Sequence, residues 1–189
     1  VSRDKLLEGV NILADAVSVT MGPMGMNAII EVPGQHPIVT KDGVTVAKSV
    51  KIRDSFSNLG VDIVKEAASR TADQAGDGTT TATVLARSIF SEGLKMIAAG
   101  YSSRDIIAGV RESSQDIMNF ISAVSREVKD SSEILSVATI SANGEKEIGD
   151  LITQAMDELG PDGVITVESA KGFKSDLVVV KGMQINRGY

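Results

Sequence analysis

The 189-residue sequence contains no cysteine and no tryptophan, a single histidine, four prolines and aromatic residues at only 3%. Without cysteine there is no disulfide framework and no thiolate metal site, which fits a reducing compartment. The one histidine, His36, falls in a predicted hairpin loop and reads as a solvated loop residue rather than a metal ligand. So few aromatics leave the core to aliphatic side chains and make a base-stacking surface improbable. An excess of positive charge is lacking too. The formal net charge of −6 argues against a general nucleic-acid or anionic-membrane binder. No apolar run reaches membrane-spanning length, and no signal-peptide pattern is visible.

What is present is ordinary for a globular protein: 42% hydrophobic and 23% charged residues. The length suits one domain, or one domain and part of another. The most informative stretch is Gly76-Asp77-Gly78-Thr79-Thr80-Thr81-Ala82-Thr83. Two glycines free to take positive φ bracket a carboxylate, and hydroxyls crowd the start of a predicted helix through Val84–Ile89. Free amides and the macrodipole favour phosphate at such a terminus. Asp77 would repel that phosphate unless Mg²⁺ lay between them, and Mg²⁺ is commonly held by one or two carboxylates plus nucleotide phosphates. From the residues alone, an Asp-Gly turn followed by a helix cap explains the same spacing.

Taken in order, Leu6, Leu7, Val10, Leu13, Ala14 and Val17 repeat with helical spacing. The glycine-rich turn Thr20–Gly25 ends that helix. Ala28–Ile30 and Pro37–Thr40 flank Gly34 as a hairpin, and Lys41-Asp42-Gly43 follows as a turn. Leu59, Ile63, Val64, Ala67, Ala68 and Thr71 predict a second helix, and Val84, Leu85 and Ile89 mark a third, ending near Gly100. Ser102 or Ser103 caps a fourth, carrying Ile106, Ile107, Val110, Ile117, Ile121, Val124 and Val128 on one stripe. After Lys129-Asp130-Ser131-Ser132 the character changes. A helix through Ile148–Leu159 precedes two predicted strands, Val164–Val167 and Leu177–Val180, joined through Gly172. The fold class is therefore a mostly α domain with a small β-hairpin, followed by a small α/β segment.

Thr20-Met21-Gly22-Pro23, Thr40-Lys41-Asp42-Gly43-Val44 and the Gly76–Thr83 run occur together in this order. Thr139-Ile140-Ser141-Ala142-Asn143, Asp162-Gly163-Val164-Ile165, Gly182-Met183-Gln184 and Arg187-Gly188-Tyr189 complete the pattern. With them the chain closely resembles the N-terminal portion of the group I (GroEL-type) chaperonins. That resemblance implies the first part of an equatorial ATPase domain over residues 1–123. It implies the first part of an intermediate domain over 124–181 and the start of an apical domain over 182–189.

By the same resemblance, Thr20, Met21, Gly22 and Pro23 lie against the nucleotide, with Lys41 at a further nucleotide-site position. Asp77 matches the Mg²⁺ ligand, and Gly78, Thr79, Thr80 and Thr81 match the phosphate loop. Asp42 matches a supporting catalytic carboxylate beside the γ-phosphate, and Ile140 an apolar contact at the nucleotide's edge. The main catalytic aspartate of the family lies further along than these residues, so the 189 residues alone are expected to be inactive. The implied cofactors are ATP, Mg²⁺ and K⁺. The implied partners are copies of the chain in a heptameric ring, non-native polypeptides and a co-chaperonin lid, with no nucleic acid and no membrane. The implied location is cytoplasmic, bacterial or virus-encoded, or alternatively a mitochondrial or plastid interior.

The implied activity is ATP-driven assistance to protein folding; the alternative is a divergent relative serving as a ring or interaction module without turnover. Two features depart from the family pattern: Met24 and Met26 stand where basic residues are usual, and Lys181 stands where an acidic one is common. In the family, chain returning after the apical domain completes both earlier domains, so the stripes at 6–17 and 106–128 are expected to lack partners here.

Overall fold

The computed structural model describes residues 2–160, 163–168, 175–180 and Gly182. Its elements are α1 (Ser2–Ser18), β1 (Ala28–Ile30), β2 (Ile38–Thr40), α2 (Gly43–Ser49), α3 (Ser55–Ala75), α4 (Thr79–Ala98), α5 (Ser103–Val124), α6 (Ser131–Ser141) and α7 (Lys146–Leu159). They divide into two compact units, Val1–Val124 and Ser125–Tyr189.

In the first unit α1 packs on α3, and α2 and α4 close around them. Val10, Leu13 and Val17 of α1 meet Val46 and Ala47 of α2 and Val61, Val64 and Ala68 of α3, all buried. The stripe expected on residues 6–17 is thus covered within the chain, contrary to the expectation that it lacks a partner. The α1–α3 approach is close because each helix offers a glycine. A Cβ at Gly9 would lie 1.7 Å from the Ser57 carbonyl oxygen, and one at Gly60 would lie 2.1 Å from that of Leu6.

This contact decides which face of α3 turns inward. Of the residues that hydrophobic periodicity selects, Val64 and Ala68 are buried, yet Leu59 and Ile63 are more than half exposed, at 53% and 56%. The inward face is Ser57, Gly60, Val61, Val64 and Ala68. Small residues let the backbones meet, and dense contact along two helices outweighs two larger side chains left at the surface. On α4 the expected Leu85 and Ile89 are likewise exposed, while Thr79 and Thr83 are buried and Ala86 and Phe90 pack on the core.

Asp54 caps α3 and ties it to α1. Its carboxylate accepts from the Ser57 amide at 3.0 Å and from Lys5 Nζ at 2.8 Å. The Lys5 hydrogen bond, with the Ser57 amide and hydroxyl, holds the Asp54 carboxyl down at about 2, below its ordinary 3.8. A carboxylate held below its unfolded value contributes stability that is present above the unfolded value and lost as pH falls through the folded one. Asn still caps a helix, so Asp54→Asn removes the titration and keeps the cap. Acid unfolding of that variant, followed by circular dichroism, should lose slope between roughly pH 4 and pH 2. A slope equal to that of the parent would contradict the assignment.

The hairpin pairs Ala28 with Thr40, Ile29 with Val39 and Ile30 with Ile38. Ala28 and Ile30 face the core, while Ile29 and Val39 face outward. The hydrophobic pattern does not predict the seven-residue α2. Asp42 caps its start, and Lys65 Nζ donates at its end to Val50 O at 2.9 Å and Lys48 O at 3.4 Å. α5 ends at Val124, short of Val128, and buries no residue; Ile107, Val110, Ile117, Ile121 and Val124 of its stripe are exposed and Ile106 is half-buried.

In the second unit α6 and α7 pack as a helical pair joined by Ala142–Glu145. The pattern does not predict α6 either. Asp130 caps it, accepting from the Glu133 amide at 2.9 Å, and its end turns at Asn143 and Gly144, both with positive φ. Gly149 of α7 allows the contact, since a Cβ there would lie 2.3 Å from Thr139 Oγ1. The strands predicted at 164–167 and 177–180 are not formed. The described residues 163–168 and 175–180 carry no ladder, and Val164, Val167 and Val178 are exposed. β-branched composition favours a pleated strand only where a neighbour supplies the hydrogen bonds. Gly172, Lys181, Arg187 and the Gly182-Met183-Gln184 run, apart from Gly182, lie outside the described residues.

Candidate nucleotide site

Three turns of the first unit, far apart in sequence, converge at the start of α4. The first follows α1. Thr20 is buried and its hydroxyl donates to Val17 O at 2.8 Å. Gly22 takes φ 74°, which folds the chain back so that the Gly25 amide reaches Gly22 O at 2.9 Å. Met21, Gly22 and Pro23 are exposed along this turn, as are Met24 and Met26, at 91% and 65%.

The second turn joins β2 to α2. Lys41 is half-buried there, and Asp42 is exposed as the N-cap of α2. Asp42 Oδ1 accepts from the Val44 amide at 3.2 Å and Oδ2 from the Thr45 amide at 3.0 Å. The Thr45 hydroxyl also donates to Oδ2, and the Asp42 amide donates to Thr40 Oγ1 at 3.0 Å. Gly43 is buried directly against α4. A Cβ there would lie 2.2 Å from Thr80 Oγ1 and 3.2 Å from the Thr80 amide nitrogen.

The third turn is the Gly76–Gly78 link. Gly76 closes α3 and Gly78 opens α4, both left-handed at φ 72° and 81°. The helix cap here is Gly78 and not one of the threonines, and it supplies no side-chain oxygen to the helix start. The amides of Thr79, Thr80 and Thr81 therefore keep the donor capacity of a first helical turn, which is what an anion needs. Asp77 is exposed on the link and accepts from the Gly78 amide at 2.6 Å. Thr83 turns inward and donates to Thr79 O at 2.9 Å, so it serves the helix and not the surface.

The first and third turns touch through their hydroxyls. Thr20 and Thr80 Oγ1 atoms stand 3.1 Å apart. Thr20 already directs its one hydrogen to Val17 O, so Thr80 donates in this contact and Thr20 accepts. The Thr80 oxygen then offers only lone pairs outward. It can serve a water molecule or a cation but cannot donate to a phosphate oxygen.

The donor set fits Mg²⁺ only in the manner of a nucleotide site. Among the described residues no group of three or more His, Cys, Asp or Glu side chains could hold a metal unaided. One exposed carboxylate, Asp77, beside free amides suits an ion that keeps several waters and takes its remaining ligands from phosphates.

The structure thus brings together Thr20, Asp42, Gly43 and the Asp77–Thr81 run, with Met21, Gly22, Pro23 and Lys41 beside them in sequence. Ile140 belongs to the second unit, where it lies near the end of α6 and is 76% exposed. Two contributors went unassigned from sequence: Gly43 as the close-approach residue and Thr45 as a partner of Asp42. The threonine three residues after a capping aspartate, at the capping-box position, is the signal that could have found the second.

The profile of the TCP-1/cpn60 chaperonin family matches residues 13–189. The chain belongs to this chaperonin family. Among solved structures it is similar to a group III chaperonin in the open state, with 25% identity and a TM-score of 0.69. That match covers 84% of this chain and 32% of the other. It is also similar in fold to the chaperonin gp146 of bacteriophage EL 2 (Pseudomonas aeruginosa), crystallised in the presence of ATP-BeFx. Identity there is 24% and the TM-score 0.65, over 81% of this chain and 27% of the phage protein. The chain spans about a third or less of the length of these chaperonins. The mostly α architecture with its small hairpin is that of a chaperonin equatorial-domain portion.

Proposed function

We propose that this chaperonin chain binds Mg-ATP at the start of α4 and couples nucleotide turnover to the folding of non-native polypeptides. The observation that carries the reading is the convergence of the Thr20, Gly43 and Asp77–Thr81 turns on the first turn of α4, whose cap makes no side-chain hydrogen bond. Residues 1–123 are read as equatorial domain, 124–181 as intermediate domain and 182–189 as the start of an apical domain. The joint order of the motifs supports group I over the other chaperonin groups.

In this reading the amides of Thr79, Thr80 and Thr81 bind phosphate oxygens, and Asp77 holds the metal. Mg²⁺ supplies charge neutralisation and alignment of the phosphates. Lys41 adds positive charge beside the phosphates, and the outward lone pairs of Thr80 favour a second cation, consistent with K⁺. Met21, Gly22 and Pro23 flank the nucleotide. Asp42 orients the attacking water as a supporting catalytic carboxylate, so it acts on kcat more than on affinity. Phosphoryl transfer needs little covalent help from the protein, which makes positioning of this kind the main contribution. The assembly is read as a heptameric ring with a co-chaperonin lid, working in a cytoplasmic compartment.

The test is refolding of a denatured, aggregation-prone enzyme by the intact protein, with native mass measured in parallel. Recovery that requires both ATP and Mg²⁺, from a species of ring mass, is the expected result. Ring mass with client binding but no nucleotide turnover would overturn it in favour of an interaction module.

A further inference from the structure

We infer that Thr45 is a positioning residue for Asp42, fixing which lone pair of that carboxylate is presented to water. The inference rests on the reading of Asp42 given above. A carboxylate has about four lone-pair sites. Oδ2 accepts twice, from the Thr45 amide at 3.0 Å and from the Thr45 hydroxyl, and Oδ1 accepts once, from the Val44 amide at 3.2 Å. Three sites are filled, and the fourth, on Oδ1, is left for an outside donor.

The arrangement is held at both ends. Thr40 Oγ1 accepts from the Asp42 amide at 3.0 Å, and buried Gly43 seats the turn against Thr80. Without the Thr45 hydroxyl, each oxygen would carry one amide bond and one open site. A water could then sit on either oxygen, and only one of the two positions would be aligned. A β-branched residue is also a poor choice inside a seven-residue helix on propensity grounds, so α2 gains nothing as a helix from threonine here. Its hydroxyl is what distinguishes it from isosteric valine.

The experiment compares ATP turnover by the intact protein and four variants: Thr45→Val, Thr45→Ser, Asp42→Asn, and Thr45→Val combined with Asp42→Asn. Asparagine retains the helix cap, so Asp42→Asn tests charge without dismantling α2. Asp42→Asn should lower kcat and change the KM for ATP little. Thr45→Val should lower kcat roughly ten-fold at similar KM, the size of one charge-assisted hydrogen bond. Thr45→Ser should recover most of that loss, and Thr45→Val should cost nothing further in the Asp42→Asn background. If Asp42→Asn lowers kcat while Thr45→Val does not, or if the valine loss persists at full size in the Asp42→Asn background, Thr45 has no positioning role. An unchanged kcat in Asp42→Asn itself would remove the reading of Asp42 and this inference with it.

Discussion

Asp77→Ala is expected to lower Mg²⁺-dependent ATP turnover by roughly a hundred-fold or more while leaving the melting temperature nearly unchanged. The two halves of this expectation come from different features of the same residue. Asp77 lies exposed on the link between two left-handed glycines, so it contributes little packing. Surface substitutions of that kind usually change stability by only about 0.5 kcal/mol. Its carboxylate is also the one acidic group on the link that opens α4, beside the amides of Thr79–Thr81. Loss of one preorganised electrostatic contact to a transition state typically costs about 10²–10³ in kcat. Phosphate release measured across a Mg²⁺ titration, with a thermal melt of the same preparation, checks both halves. Turnover and Mg²⁺ dependence equal to the parent would remove Asp77 from the metal's ligands.

The second large effect is on stability. Gly9→Ala and Gly60→Ala each place a methyl group inside contact distance of backbone on the facing helix, 1.7 Å from Ser57 O and 2.1 Å from Leu6 O. No rotamer change relieves a clash with a carbonyl, so α1 and α3 must separate. Separation opens the packing of Val10, Leu13, Val61 and Val64, the centre of the core. Overpacking costs typically about 1–3 kcal/mol and sometimes more, against a gain of about 1 kcal/mol from exchanging a helical glycine for alanine. With rigid backbone on both sides the upper end applies, and a net loss of roughly 2 kcal/mol or more is expected. Gly93 on α4 supplies the contrast, because nothing lies within 4 Å of its added Cβ. Gly93→Ala should be neutral or stabilising by up to about 1 kcal/mol. Thermal melts of the three variants in the intact protein decide the point. Similar melting temperatures for all three would show that the glycines do not set the helix spacing.

The same contact explains why parts of the fold were legible in sequence and parts were not. α1 could be read because Val10, Leu13 and Val17 of its apolar repeat are buried. α3 could be located but only partly oriented: Val64 and Ala68 of its apolar stripe are buried, whereas Ser57 and Gly60 carry no hydrophobic weight and yet mark the face where two backbones meet. α2 and α6 escaped detection because their starts are defined by the capping side chains Asp42 and Asp130, and their apolar patterns are short. The segments 164–167 and 177–180 have strand composition, but a strand depends on a partner, and neither segment is paired among the described residues. For the site, the three segments could be singled out by residue type and order. Their convergence could not, because it depends on the missing Cβ of Gly43 and on a hydroxyl contact between residues 20 and 80. The polarity of that contact, with Thr80 as donor, follows only from where Thr20 sends its hydrogen.

The most direct measurement is a structure of the intact protein with Mg²⁺ and a non-hydrolysable ATP analogue. The expected result has phosphate oxygens against the amides of Thr79, Thr80 and Thr81 and the metal ion on the Asp77 carboxylate. A nucleotide bound away from the three turns, or a metal held by other carboxylates with Asp77 unengaged, would contradict it.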